Sequence, residues 1–433
     1  MRFVAANGKR WYVLAVLTFA YALNQADRFM MSSLLEPIKR DLHLSDASVG
    51  FLSGAALAIF YVAAGLPIAA FADRSNRRNI VVASLAAWSG LTALCGLTRS
   101  YSSLLLVRIG VGIGEAGGTA PSHALLSDLF PAGQRARMFA LFGLGTSIGL
   151  AISSWGGWLS EQIGWRQVFY VFGIPGILLA FLIKATVAEP ARGVLDSRSQ
   201  IRQAGLLETL RQIREEPSLR HQMWASFFWC LASWGLLWWL PAYLVRTHGM
   251  SVGQAGALLG WMYGVGGTAG LLASVGLMRW LESRDLRWLA RAAAVMVSVA
   301  TVPALILVCT RDATLAIAML WLFIFVLHSL YGPTFSLLHN SSPPAMRSQM
   351  SAICLLVINV ANLVIAPLAV GWASDLLAPY YGAESLRTPL IVLSSFGFIA
   401  AWHFWACARD LKAAMRHAGA QDPATIAWRG RPG

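Results

Sequence analysis

Twelve apolar runs, each long enough to cross a bilayer as a helix, take up most of this chain. A crossing helix needs about 20 apolar residues. Such runs fall at roughly 11–35, 48–72, 79–98, 101–129, 138–162, 166–188, 222–247, 252–281, 288–310, 313–340, 349–377 and 388–408. Only 12% of the 433 residues are charged, against about one quarter in an average soluble domain. A soluble fold of this size could not cover its surface with so few polar side chains. Lipid offers the backbone no hydrogen bonds, so runs of this length must be helical. The expected fold class is an all-α membrane protein of 12 transmembrane helices. Arg2, Lys9 and Arg10 before the first run resemble the start of a secretory signal. That run is too long for one, carries Asp27 and Arg28 and leads straight into another, so it reads as a first membrane helix.

One long hydrophilic stretch, 189–221, divides the runs six and six. The expected organisation is an N-terminal six-helix bundle over 1–188, a cytoplasmic linker over 189–221, a C-terminal bundle over 222–410 and a cytoplasmic tail over 411–433. The halves repeat weakly: "PAGQRARM" at 131–138 matches "PPAMRSQM" at 343–350, and "GWLSE" at 157–161 matches "GWASD" at 371–375. The offsets are 212 and 214. Two pseudo-symmetric bundles place a site between them near the midplane. With the N-terminus cytoplasmic, 25 of the 34 Lys and Arg residues fall on the cytoplasmic side and seven on the other. This asymmetry puts both termini in the cytoplasm. It also accounts for the net charge of +14 without a nucleic-acid partner. The five cysteines are scattered and none has CxxC spacing, so neither a disulfide framework nor a zinc site is indicated, and no cofactor is implied.

The two remaining basic residues, Arg28 and Arg108, lie within crossings. The first run contains "NQADRF", with Asp27 beside Arg28; the fourth contains "RIGVGIGE", with Arg108 and Glu115 seven apart. Seven residues is two helical turns, so Arg108 and Glu115 share a face about 10 Å apart. Gly112, Thr119 and Ser122 fall on that face, while Gly110, Gly114 and Gly118 form a small-residue stripe suited to close helix packing. Tyr21, Asn24, Arg28 and Ser32 line one side of the first run. Neighbours such as Asp27 and Arg28 do not face each other on a helix, so the expected pairs are Asp27 with Arg108 and Arg28 with Glu115. Burial favours the neutral form of a carboxylate, which makes Asp27 and Glu115 candidate proton-coupling groups. Arg28 and Arg108 stay charged and are candidates to hold an anionic head group. A permanent ion-pair network that only fixes helix packing is the competing reading, and intramembrane charges more often mark pathways.

The second half has no comparable charge and is aromatic. Trp234 and Trp238 share a helix face, "HSLYGPTF" supplies His328, Tyr331 and a Gly-Pro expected to break the helix, and "INVANL" supplies Asn359. Together with Tyr21, Asn24 and Thr119 these are the candidate substrate contacts. A cavity charged on one wall and aromatic on the other suits an amphiphilic anion. The tight basic loop "ADRSNRR" holds Asp73, Arg74, Arg77 and Arg78, and with Arg137 in "PAGQRAR" it is the candidate cytoplasmic gate. The linker is expected to form an amphipathic helix near 202–216.

"ADRSNRR", "PAGQRAR" and "GGWLSE" resemble the major facilitator superfamily. "NQADRF" together with "RIGVGIGEAGGTAP" resembles its Spinster-like branch most closely. The similarity is specific over the first half; in the second it extends to topology and the "PPAMRS" loop. It implies a transporter of alternating-access type, proton-coupled, for lysophospholipids or sphingoid phosphates. It also implies roles for Asp27, Arg28, Arg108 and Glu115, and for Asp73, Arg74, Arg77 and Arg78 in the loop. The loop departs from the superfamily pattern, with Ala69 and Asn76 where glycines are usual. The organic anion/cation symporters share the Asp-Arg and Arg…Glu-Ala elements, so a proton symporter for a small anion such as a sugar acid is the alternative. No HExxH and no nucleophile with a base is present, so no enzyme is expected. The expected partners are membrane lipids, protons and the anionic substrate, with a monomer in a bacterial inner (plasma) membrane as the working unit.

Overall fold

Every apolar run becomes helix. The structure, a computed structural model, describes residues 2–72, 74–190, 205–282, 286–342 and 346–421. Among these residues all regular structure is helical and no strand occurs. α1 (Arg2–Ser33) is the first crossing, and α2 (Leu35–Leu42) follows after one residue. α3 (Asp46–Gly50) and α4 (Ala56–Ala72) make the second, with a π-helical stretch, Phe51–Ala55, between them. α5 (Arg77–Cys95) is the third. α6 (Tyr101–Glu115) and α7 (Thr119–Leu129) form the fourth, and α8 (Ala132–Ile163) and α9 (Trp165–Thr186) are the fifth and sixth.

After α10 (Leu206–Glu215), the linker helix, the pattern repeats. α11 (Pro217–His248) is the seventh crossing. α12 (Val252–Trp261) and α13 (Thr268–Glu282) flank a π-helical stretch, Met262–Gly267. α14 (Leu286–Cys309) is followed by α15 (Ala313–Ser329) and α16 (Tyr331–Ser341). α17 (Arg347–Asn359) and α18 (Ala366–Tyr381) flank a third π-helical stretch, Val360–Ile365, and α19 (Arg387–Gln421) ends the described chain. Eight stretches of the described residues are long and apolar enough to cross a membrane unaided. One of them, Gln349–Leu411, holds two crossings. α1, with its charges, and the divided pairs α6/α7 and α15/α16 supply the rest.

The division of the fourth crossing corrects the expectation of one helix over 101–129. Ala116, Gly117 and Gly118 form a turn, and Pro121 follows in the first turn of α7. Two adjacent glycines and a proline four residues on make a continuous helix unfavourable here. The tenth crossing breaks at Leu330, ahead of the Gly-Pro itself; Pro333 sits in the first turn of α16, where it needs no N–H partner. Residues 118 and 330 are 212 apart, the same offset as the "PAGQRARM" repeat.

The described residues pack as two compact units. The first comprises Met1–Ser199, Gly235–Thr268 and Asn362–Leu390; the second comprises Gln200–Trp234, Ala269–Ala361 and Ile391–Gly433. In the first unit α1 lies along α8 and α5 along α9. The glycine stripe of α6 packs on α5 as the sequence suggests: a Cβ on Gly114 would lie 3.0 Å from Trp88 N. Gly112 does not face water; its Cβ would lie 2.5 Å from Leu57 O on α4. Apolar side chains of α1, α5, α7, α8 and α9 (Leu17, Leu85, Leu126, Phe142 and Ile183 among them) fill the core. In the second unit Leu219, Met223, Leu338, Met350 and Cys354 form a smaller core, and the Nδ1 atoms of His221 and His403 face each other at 2.8 Å.

Candidate functional site

Two buried ion pairs lie where α1 passes α6. Arg28 Nε donates to Glu115 Oε2 at 2.6 Å, and Arg108 Nη1 donates to Asp27 Oδ2 at 3.1 Å. Thr92 of α5 donates to the other oxygen of Asp27 at 2.7 Å. The Arg28 guanidinium lies over the Tyr61 ring, 4.4 Å from its centre. Arg108 and Glu115 are fully buried and Asp27 is 3% exposed. The four groups sum to zero charge, as buried charges must nearly do. They are not saturated, however. Arg108 Nε and Nη2, Glu115 Oε1 and Asn24 Oδ1 are buried without a hydrogen-bond partner. Unpartnered buried groups are costly, so this is where a polar ligand or water gains most by binding. Thr92 and Tyr61 were invisible to pattern reasoning because nothing in their local sequence distinguishes them.

One turn along α1 toward its N-terminus, a small cleft opens in the same unit. It is lined by Tyr21, Asn24, Thr119 and Ser122 on the polar side and by Val81, Trp88 and Phe142 on the apolar side. Tyr21 stacks on Phe142 with ring centres 4.7 Å apart, and its hydroxyl lies 3.4 Å from Thr146 Oγ1. Three of the sequence-selected substrate contacts, Tyr21, Asn24 and Thr119, therefore converge here.

The second-half candidates are more dispersed. Trp238 is committed to packing: its indole N–H donates to Asn362 Oδ1 at 2.9 Å, and its ring stacks on Phe29 at 4.7 Å. Helix spacing selects its face, and Asn362 and Phe29 meet the indole there. Spacing locates a face but not what covers it. In the second unit Trp234 is 7% exposed and His328 fully buried, with His328 Nδ1 2.9 Å from Ile324 O within its own helix. Asn359 is half-buried. The Tyr331 side chain lies outside what is described.

At the N-terminal end of α1 the basic loop is tied to its own unit. Arg77 Nη2 lies 2.5 Å from Asp128 Oδ2 and Arg77 Nε lies 3.3 Å from Glu189 Oε1. The backbone N–H of Arg78 donates to Glu189 Oε2, and its side chain donates to Val187 O. Arg137 lies over the Trp11 ring at 5.6 Å, and Arg74 is exposed. Asp73 lies outside the described residues. Asp128 and Glu189 are the carboxylates the sequence reading did not select.

The opposite end of this unit, where α1 finishes, carries a third set of charges missed at the sequence level. Arg246 donates to Glu36 at 2.6 Å and, through Nη1 and Nη2, to both oxygens of Asp46 at 2.7 Å. Lys39 Nζ lies 2.5 Å from Asp46 Oδ1, and Ser374 donates to Asp46 Oδ2 at 2.7 Å. Asp375 accepts the backbone N–H groups of Asp46 and Ala47, each at 2.8 Å. On sequence alone these residues looked like ordinary helix ends.

Helices crossing in two duplicated sets, broken at matching points, with buried charges near the break of the first set, define a polytopic membrane transporter. The chain belongs to the Major Facilitator Superfamily, whose profile matches residues 17–366. Within it the chain is Spinster-like. A solved bacterial homologue of the human lysosomal transporter Spinster, inward-facing and unoccupied, superposes with a TM-score of 0.82 at 26% identity, covering 94% of this chain and 98% of that one. An MFS-type efflux pump of Mycolicibacterium smegmatis is 31% identical over 92% of each chain. A probable galactarate/D-glucarate transporter of Bacillus subtilis is 28% identical over 59% of this chain and 63% of its own length. The sphingosine-1-phosphate transporter of Danio rerio is 30% identical over 54% of this chain and 47% of its own length.

Proposed function

We propose that this protein is a proton-coupled secondary transporter that moves an amphiphilic, lipid-like organic anion, of lysophospholipid or sphingoid-phosphate type, by alternating access. The observation that carries this reading is the pair of crossed, unsaturated ion pairs: Arg108 Nε and Nη2 and Glu115 Oε1 are buried and unpartnered. The quartet is neutral as it stands. A monovalent head group seated on Arg28 and Arg108 leaves one excess negative charge in a dry site. Uptake of one proton by Glu115 restores neutrality, and release of that proton returns Arg28 to its carboxylate and displaces the anion. Asp27, held by Thr92 and Arg108, shares this coupling and keeps the Arg108 fork oriented. Asn24, Tyr21 and Thr119 supply the polar collar, and Trp88 and Phe142 the apolar wall for the hydrocarbon part. Trp234, His328, Tyr331 and Asn359 are proposed as further contacts.

The six-helix halves are taken as the rocking bodies of a monomer in a bacterial inner membrane, both termini cytoplasmic, with Asp73, Arg74, Arg77, Arg78 and Arg137 as the cytoplasmic gate. Purified protein in liposomes under an imposed pH gradient tests the coupling. Substrate-dependent proton flux should vanish in Glu115→Gln and fall steeply in Asp27→Asn; undiminished flux in both would sink it. A sugar acid as substrate is the second reading, favoured by the galactarate/D-glucarate relative. Competition between lysophosphatidate and galactarate for binding to the same preparation separates the two.

A further inference from the structure

One contact in the second unit brings two metal-ligating atoms together. His221 lies in the second turn of α11 and His403 on α19, so the contact joins the start of the seventh crossing to the end of the twelfth. Their Nδ1 atoms face each other at 2.8 Å. An imidazole nitrogen either carries a proton or offers a lone pair, and two that meet in this way share one proton at most. His221 Nε2 lies 3.5 Å from Asp410 Oδ2. A carboxylate there favours the proton on Nε2 and leaves the His221 Nδ1 lone pair aimed at His403. His403, in the neutral tautomer protonated at Nε2, aims a second lone pair at the same point. Two imidazole nitrogens with a carboxylate behind one of them is a donor pattern by which proteins hold transition-metal ions. An ion 2.0–2.1 Å from both, at the tetrahedral angle, needs the nitrogens about 3.3 Å apart, which takes about half an ångström of side-chain movement.

The rings are already held in place. His403 stacks on Phe228 with ring centres 5.8 Å apart, and Phe228 stacks in turn on Phe396. Trp402 meets both imidazoles edge-on, 5.6 Å from His221 and 4.7 Å from His403. Ligands fixed by packing lose little rotamer freedom when an ion arrives. Two carboxylates, Asp410 and Glu216, act on Cys407, one turn along from His403, so the surroundings favour a cation. Arg409 faces Asp410 at 3.6 Å, but its side chain is 72% exposed and water screens it. The side chains of His221 and Asp410 are each 21% exposed, so an ion can reach the pair from water. Among the described residues no three His, Cys, Asp or Glu side chains are grouped to hold a metal ion. The pair therefore supplies two protein ligands and water completes the shell, which makes for a reversible site and not a closed structural one. Mg²⁺ and Ca²⁺ prefer oxygen and gain nothing from this donor set.

We infer that His221 and His403 form a reversible site for a divalent transition-metal ion, Zn²⁺ foremost, which staples the seventh crossing to the twelfth within the second unit. Neither the substrate nor the proton coupling proposed above enters this inference, and its test needs no transport. Calorimetric titration of the purified, tag-free protein in detergent uses Zn²⁺ as the probe and Mg²⁺ as the control. Zn²⁺ should bind where Mg²⁺ does not, and should raise the unfolding temperature. His221→Asn and His403→Asn each keep a polar side chain; each should weaken Zn²⁺ binding at least tenfold and remove the thermal shift. Asp410→Asn, which acts through His221, should weaken it by about tenfold. His43→Asn, at an exposed histidine elsewhere, should change nothing. One equivalent of Cu²⁺ on the wild-type protein, which needs no variant to fold, should show two imidazole nitrogens by electron paramagnetic resonance. Zn²⁺ affinity unchanged in both His221→Asn and His403→Asn, a wild-type protein that binds Zn²⁺ no better than Mg²⁺, or fewer than two nitrogens on Cu²⁺ would overturn the inference.

Discussion

The first unit holds two clusters of the same chemistry in opposite conditions. At mid-helix, Asp27, Arg28, Arg108 and Glu115 form two pairs, each guanidinium reaching its carboxylate through a single nitrogen. At the end of α1, Arg246 spends Nε, Nη1 and Nη2 on three carboxylate oxygens, and Asp46 takes Lys39 and Ser374 as well. The first cluster leaves Arg108 Nε, Arg108 Nη2 and Glu115 Oε1 without partners; no buried atom of Glu36, Asp46 or Arg246 is left so. Buried charge by itself does not separate a working site from a strut. Satisfaction does: a saturated cluster is finished and can only hold or break, and an unsaturated one can still bind.

This contrast breaks first at Arg108. Arg108→Ala leaves Asp27 buried with Thr92 as its remaining partner, and removing one member of a buried pair costs about 3–5 kcal/mol. Thermal unfolding in detergent should show that loss, and transport should be abolished. Stability unchanged from wild type would mean that water, not Arg108, holds Asp27. Glu115→Gln comes next. It keeps shape and a hydrogen bond to Arg28, so the protein should stay folded within about 1.5 kcal/mol while pH-driven accumulation falls at least tenfold. Equal loss of stability in the two variants would erase the distinction between removing a buried charge partner and removing only a site of protonation. Arg246→Ala should cost less than Arg108→Ala, about 1–3 kcal/mol, because Asp46 keeps Lys39 and Ser374 as partners. A double-mutant cycle with Asp46→Ala measures that bridge directly.

Much of the first cluster was legible in the sequence and almost none of the second. Four ionisable residues within long apolar runs admit few pairings, and adjacency ruled out Asp27 with Arg28. Apolar length fixed the crossings. The break at Ala116–Gly118 was not read, because Gly118 was weighed as part of a packing stripe and its neighbours Ala116 and Gly117 were not weighed with it as a low-propensity turn. Glu36, Asp46, Arg246 and Asp375 sit at the ends of apolar runs, where charges are ordinary, and their meeting depends on how segments 200 or more residues apart pack. "GWASD" was noticed as half of a repeat, yet nothing in a repeat says what its acid touches. Trp238 shows a different limit: its periodicity is that of a packed residue and of a cavity wall alike.

The smallest expected effect tests exposure as the remaining variable. On α10, Arg211 donates to Glu215 at 2.7 Å with ideal i,i+4 spacing, and the Glu215 carboxylate raises the Arg211 pKa above its ordinary value. The geometry matches that of Arg28 and Glu115, at 2.6 Å. The surroundings do not: the side chains of Arg211 and Glu215 are 77% and 57% exposed. Water and salt screen such a pair, and ordering two long side chains offsets what attraction remains. Arg211→Ala should therefore leave both the unfolding temperature and transport unchanged, at low salt and high. If it unfolds the protein as readily as Arg108→Ala does, pair geometry rather than burial governs these charges, and the ranking of the two clusters in the first unit would have to be rebuilt on distance alone.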